Sequence, residues 1–272
     1  MEFFEGNVLV LSIKQSELKR KLDYHYQYFD FSQISPDPLE FPHRYTNYHD
    51  IEISAFISSI FAYGNIKQII NTLEKIHKLM GHEPYKFVMR FNYERDIDKF
   101  RKIKHRFYTD EDIAALFYYL NKIYTNYGSL KYSFLLYYFE KDPDLKNAIS
   151  FFSRHFLEII SGKRDISHGI KFMLPDPLKG SACKRMNLFL RWMVRNDDLD
   201  FGLWHEVSPA QLVIPVDTHV AEICKRLKLT RRKNVSWLMA EEITQKLKQF
   251  DPFDPVKYDF AICHIGMRKL DF

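Results

Sequence analysis

Residues 180–195 read GSACKRMNLFLRWMVR, and the way this stretch folds decides the class of the whole chain. From Met186 to Val194 it is almost wholly apolar, which suits a helix buried in a domain core. It opens on Lys184 and Arg185, with no acid nearby in sequence to pair with either. If Ser181 caps the helix, Lys184 falls in its first turn. The free N–H groups and helix dipole there disfavour an ammonium, so the amine is expected to lose its proton more easily than an ordinary lysine. A neutral amine is a nucleophile.

Working outward, helical spacing recurs along the chain. Residues 12–29 read as a first helix, followed by an ordered loop around Pro36, Pro38 and Pro42. Residues 50–64 follow, with Asp50 as N-cap and Ile53, Phe56, Ile57, Ile60 and Phe61 on one face. Further helices are expected over 65–81, 109–128 (capped by Thr109 or Asp110), 130–139 and 145–161. Others follow from about Thr218, across 235–250 and after Pro255. The chain holds only 9 Gly and 11 Pro, and few segments alternate with period two. The expected fold is all-α, with ten to twelve helices in two subdomains and a cleft between them. Residues 1–49 would pack on the C-terminal part, 50–200 would form the central subdomain, and 201–272 would carry the Asp217 turn.

An apolar content of 46% and an aromatic content of 16% exclude a disordered chain. Three widely spaced cysteines, Cys183, Cys224 and Cys263, fit neither a disulfide framework nor a multi-cysteine metal site, and they point to the cytoplasm. No apolar run is long enough for a membrane span, and the N-terminus lacks the charges of a signal peptide. The net charge is only +5, but its distribution is uneven. Residues 179–195 carry Lys179, Lys184, Arg185, Arg191 and Arg195 with no acid. Residues 223–240 carry Lys225, Arg226, Lys228, Arg231, Arg232 and Lys233, again with none. Such stretches are either solvated helix faces or a surface for a polyanion.

A second feature stands 33 positions beyond Lys184, where IPVDTHV sets Asp217 directly before a helix. An aspartate there is either a simple N-cap or a functional carboxylate. LKGSACKRMNLFL followed by VIPVDTHVAEICKRLKL resembles the helix-hairpin-helix DNA glycosylase superfamily, which includes endonuclease III and the 8-oxoguanine DNA glycosylases. The chain as a whole resembles a bacterial branch of it over roughly residues 50–270.

The resemblance implies a cleft that removes a damaged base from double-stranded DNA, with Lys184 as nucleophile and Asp217 as the catalytic carboxylate. Lys179, Gly180, Ser181, Ala182 and Arg185 would form a hairpin holding phosphate, either directly or through a monovalent cation. Tyr63 and Asn65 would reach into the duplex, unless they are a plain turn, and Lys225, Arg231 and Arg232 would add DNA contacts. Asn187 and His219 are read as supporting residues, Trp192 and Trp204 as core, and Tyr258, Phe260 and His264 as core or base pocket. No metal, no iron–sulfur cluster and no other cofactor is expected, and the protein is expected to act as a monomer. Three features depart from the pattern: Ala182 replaces a glycine, the connection to Asp217 is long, and the four-cysteine cluster is absent. They leave open a nucleic-acid-binding protein without the chemistry, or an enzyme acting on RNA or nucleotides with the same pair.

Overall fold

Most helix starts in this chain carry a side-chain cap. Thr109 opens the longest helix with a reciprocal capping box to Asp112, three acids sit in its first turn, and Gly128 ends it with a left-handed φ of 79°. The computed structural model describes residues 11–28 and 30–268. Among these are thirteen α-helices, several short 3-10 turns and no strand beyond two isolated bridges. The first six helices are α1 (Ile13–Tyr28), α2 (Tyr48–Phe61), α3 (Ile66–Leu79), α4 (Pro84–Arg90), α5 (Tyr93–Asp96) and α6 (Asp110–Tyr127). Then come α7 (Leu130–Leu135), α8 (Lys146–Ser161), α9 (His168–Met173), α10 (Lys184–Val194), α11 (Thr218–Arg226), α12 (Trp237–Lys248) and α13 (Asp259–Arg268). The class is all-α.

Three readings of the sequence need correction. Asn47, not Asp50, caps α2, because its carbonyl oxygen accepts from the His49 and Asp50 amides. Asp50 instead accepts from the Tyr85 amide at 2.8 Å, tying α2 to α4. Ser181 does not cap α10 either; Cys183 holds that position at φ 47°, and Ser181 Oγ accepts from the Cys183 amide at 3.2 Å. The short helices α4, α5 and α9 carry no periodic signal in the sequence, and with them the described residues hold thirteen helices rather than ten to twelve.

The central packing is α2 against α10, where Phe56 meets Phe189 edge-on at 5.1 Å and Phe189 meets Trp204 at 5.2 Å. Trp204 belongs to the long connection after α10, and its burial makes that connection part of the core. Gly202 closes a turn there at φ 60°, and any Cβ would strike the Asn196 side chain.

Glu52 lies inside α2 with no exposure at all. Five donors surround it: the Tyr48 and Tyr124 hydroxyls, the Trp204 indole, and the Leu130 and Lys131 amides at the start of α7. A buried carboxylate survives only with such a set, and here it locks α2, α6, α7 and the connection to one another.

A second buried polar cluster holds the C-terminal helices. Arg191 donates to Asp259 at 2.6 Å and to Asp200 at 3.1 Å, while Arg195 pairs with Asp197, Asp200 and Asp254. Burial pushes the Asp259 carboxyl up to about 6 even with Arg191 pulling the other way. We expect Arg191→Met to lower the unfolding free energy by about 3–5 kcal/mol, because it strands the Asp259 carboxylate in the core and leaves Asp200 with Arg195 alone. Urea unfolding followed by circular dichroism measures this; an unchanged midpoint would show that the carboxylates escape to water.

Candidate active site

The start of α10 and the end of α2 meet at one cleft, and both are helix termini with unsatisfied backbone groups. Lys184 is the first residue of α10. Its amine donates to the carbonyl of Ala62, the C-cap of α2, at 3.3 Å, and lies 2.8 Å from Asp217 Oδ2. Each of the two side chains is 27% exposed, so the pair is reachable from solvent while shielded from much of it.

Asp217 arrives from the far side as the N-cap of α11. Its Oδ1 accepts from the His219 and Val220 amides at 2.9 and 3.0 Å, which leaves Oδ2 for Lys184. Burial alone would raise the Asp217 pKa, but Lys184 and these amides hold it below the ordinary carboxylate value. The lysine mirrors this. Burial pulls its pKa down, and Asp217 more than restores it, so Lys184 is held above the ordinary ammonium value. The expected loss of a proton at the positive end of α10 does not occur in the free protein, because the carboxylate and the negative end of α2 outweigh the dipole.

The cleft has a volume of about 830 Å³. Its wall includes Tyr63 and Asn65 from the α2–α3 turn, Trp192 from α10, and Phe260 and Cys263 from α13. Asp37, Arg106 and Asp259 also line it and were not singled out in the sequence. Asp37 sits in the proline-rich loop and Arg106 in a turn at φ 51°, so neither carries a periodic signal. Asn65 caps α3 through the Lys67 amide, and the Tyr63 hydroxyl donates to the His105 carbonyl at 3.0 Å.

Other expected site residues go elsewhere. Arg185 does not face the cleft: only 6% exposed, it donates to the Tyr108 hydroxyl and the Phe172 carbonyl and stacks 4.0 Å from the Phe172 ring centroid. Arg191 and Arg195 are likewise buried and paired, so of the five cations in 179–195 Lys179 alone is fully exposed. His219 is exposed at the cleft rim rather than structural. Asn187 is buried and donates to the Ala182 carbonyl at 3.1 Å, bracing the turn before α10. Tyr258 is core, with its hydroxyl on Asp23 at 2.7 Å. The side chain of His264 lies outside the described residues.

The turn itself, residues 174–183, joins α9 to α10. Gly180 has φ 88°, which favours glycine, and its carbonyl accepts from the Trp237 amide at 3.0 Å. Lys179 and Gly180 are exposed, Ser181 is half-buried and Ala182 is buried. In the second basic stretch Arg231 and Arg232 are exposed, the latter paired with Glu242 at 3.1 Å, and Lys225 donates to the Lys233 carbonyl. Among the described residues no cluster of three or more His, Cys, Asp or Glu could hold a metal ion. No helix is long and apolar enough to cross a membrane among the residues described.

A family model described as "Protein of unknown function (DUF2400)" matches residues 37–268, and the chain belongs to that family. No curated protein and no solved structure matches it.

Proposed function

We propose that the protein is a DNA base-excision glycosylase with an associated lyase step, using Lys184 and Asp217. One observation carries the reading: two residues 33 positions apart form an ion pair at a solvent-reachable cleft large enough for an extruded base. Base flipping brings the target nucleotide into the cleft, against Tyr63, Trp192 and Phe260. As the N-glycosidic bond breaks, its electron pair leaves with the base and C1′ becomes cationic. The Asp217 carboxylate, ionised and partly desolvated, opposes that charge. The Lys184 ammonium passes its proton to a nitrogen of the departing base. The amine so freed attacks C1′, the C1′–O4′ bond opens with a proton to O4′, and the resulting Schiff base permits strand cleavage by elimination. On this account the protonated resting state of Lys184 is useful, since it stores the proton that the leaving group needs.

Borohydride trapping across duplexes carrying oxidised, alkylated and deaminated bases tests the proposal. A covalent adduct with at least one of them is expected, and none with an unmodified duplex. A second reading, DNA binding without chemistry, is favoured by the same ion pair, which keeps the amine non-nucleophilic in the free protein. Duplex affinity with no base release on any substrate would select it.

DNA contacts outside the cleft are assigned to Lys179, Lys225, Arg231 and Arg232. With four phosphate contacts, log K should fall against log salt with a slope of about −3 to −4. Fluorescence anisotropy at stepped salt measures this, and a slope near zero would remove the backbone contacts from the account.

A further inference from the structure

A separate groove of about 510 Å³ lies between α1 and the C-terminal ends of α11 and α12. Its floor is apolar, built from Leu18, Ile223, Leu229 and Phe250. Lys21 lines the groove, and four further cations, Lys14, Arg226, Lys228 and Lys246, surround that floor. None of the four has a side-chain hydrogen bond or ion pair among the described residues. Among the described residues Glu17 is the single acid of the lining, and it approaches Lys21 at 3.9 Å.

Local chemistry explains two of these cations and not the others. Arg226 and Lys246 sit in the last turns of α11 and α12, where the helix dipole favours positive charge. Lys14 is in the first turn of α1, the end where a cation is unfavourable and where no acid stands. Lys228 adopts φ 58°, just past the end of α11. The Leu229 amide reaches the Cys224 carbonyl at 2.8 Å and the Lys228 amide reaches Lys225 at 3.0 Å, the paired bonds of a helix end that normally carries glycine at this position. A side chain there strains the backbone, since only glycine adopts this region freely. Two lysines thus stand against their local preferences and converge on one concave apolar surface with two further unpaired cations. Broken local rules that gather at a single pocket point to a ligand.

We propose that this groove binds a nucleoside polyphosphate, with the base on the apolar floor and the phosphate chain among Lys14, Arg226, Lys228 and Lys246. The charge decides the head group. One phosphate carries about −1.5 to −2 at neutral pH and would leave much of the cation cluster uncompensated, whereas a triphosphate chain balances it. The floor, with the Phe250 ring, suits a flat aromatic body, and the volume falls in the range of small-molecule sites. Helix α11 runs from Asp217 at the cleft to Arg226 at the groove, a span of about 13 Å for its nine residues. The groove proposal does not depend on the reading of the cleft.

Calorimetric titration of the full chain in magnesium-free, low-salt buffer provides the test, with ATP, tripolyphosphate and adenosine as probes. ATP is expected to bind once per chain, tripolyphosphate more weakly, and adenosine without measurable heat. Lys14→Gln and Lys228→Gly should each weaken ATP about tenfold, the loss of one charge-assisted contact. Lys228→Gly relieves the left-handed backbone, so its thermal midpoint should hold or rise while ATP binding falls. Lys184→Gln should leave ATP binding unchanged. Absence of ATP binding, or binding unaffected by both groove variants, would overturn the site. Loss of ATP binding in Lys184→Gln alone would move it to the cleft and overturn the groove. Equal affinity for tripolyphosphate and ATP would overturn the role given to the apolar floor. An unmodified duplex that displaces ATP and is itself weakened by Lys228→Gly would give the groove to the DNA backbone instead, and the proposal would fall.

Discussion

Lys184→Gln should abolish both borohydride trapping and strand cleavage while leaving the protein folded and able to bind DNA. Glutamine keeps a donor near Asp217 Oδ2 and the Ala62 carbonyl, the two acceptors that the amine contacts at 2.8 and 3.3 Å. Asp217 keeps the His219 and Val220 amides and stays reachable from solvent at 27% exposure, so the variant should remain folded. One cation among several phosphate contacts changes affinity little. The chemistry has no such reserve, because among the described residues no other lysine lines the cleft. Single-turnover assays on duplexes holding a preformed abasic site isolate this step from base release. Cleavage at the wild-type rate in Lys184→Gln would remove the lysine from the mechanism.

The apolar run of α10, the face of α2 and the Thr109 cap of α6 are local patterns, and local patterns were legible in the sequence. Helices α4, α5 and α9 span seven, four and six residues. Too short to complete a periodic signal, they depend on tertiary packing for their stability. Lys184 and Asp217 stood out because each sits at a helix start with distinctive neighbours. Their mutual distance, and hence the protonation of the lysine, could not be read, since it depends on how α2, α10 and α11 converge. The same holds for the basic stretch 179–195. Its cations lacked acids in sequence, yet Asp200, Asp254 and Asp259 reach Arg191 and Arg195 through the folded chain, and aromatic rings take up Arg185. A charge count along the chain therefore overstated the surface open to a polyanion. Asp37 was hidden for the opposite reason: its loop, more than a hundred residues from Lys184, shows only prolines.

Asp217→Asn should slow base release by on the order of 10²-fold or more while sparing the step that follows it. The substitution keeps the helix cap, for an asparagine oxygen accepts from the His219 and Val220 amides as the carboxylate does, so stability should change little. What disappears is the negative charge that opposes the cation developing at C1′. The lysine responds too. With Asp217 neutral, the burial that already pulls the amine's pKa down loses its main counterweight, so Lys184 should titrate lower in the variant than in the wild type. Lysine-directed labelling followed by mass spectrometry reads this directly: Lys184 should react faster at a given pH in Asp217→Asn. In the wild type the pair's contribution to stability is lost at the acid end, as pH falls through the lowered Asp217 value, and at the alkaline end, as pH rises through the raised Lys184 value. Both arms should flatten in the variant. The decisive pattern is a split, with base release slowed and Schiff-base formation at a preformed abasic site retained or shifted to lower pH. If both steps fall together by the same factor, Asp217 acts by holding Lys184 in position, and the electrostatic role assigned to it is wrong.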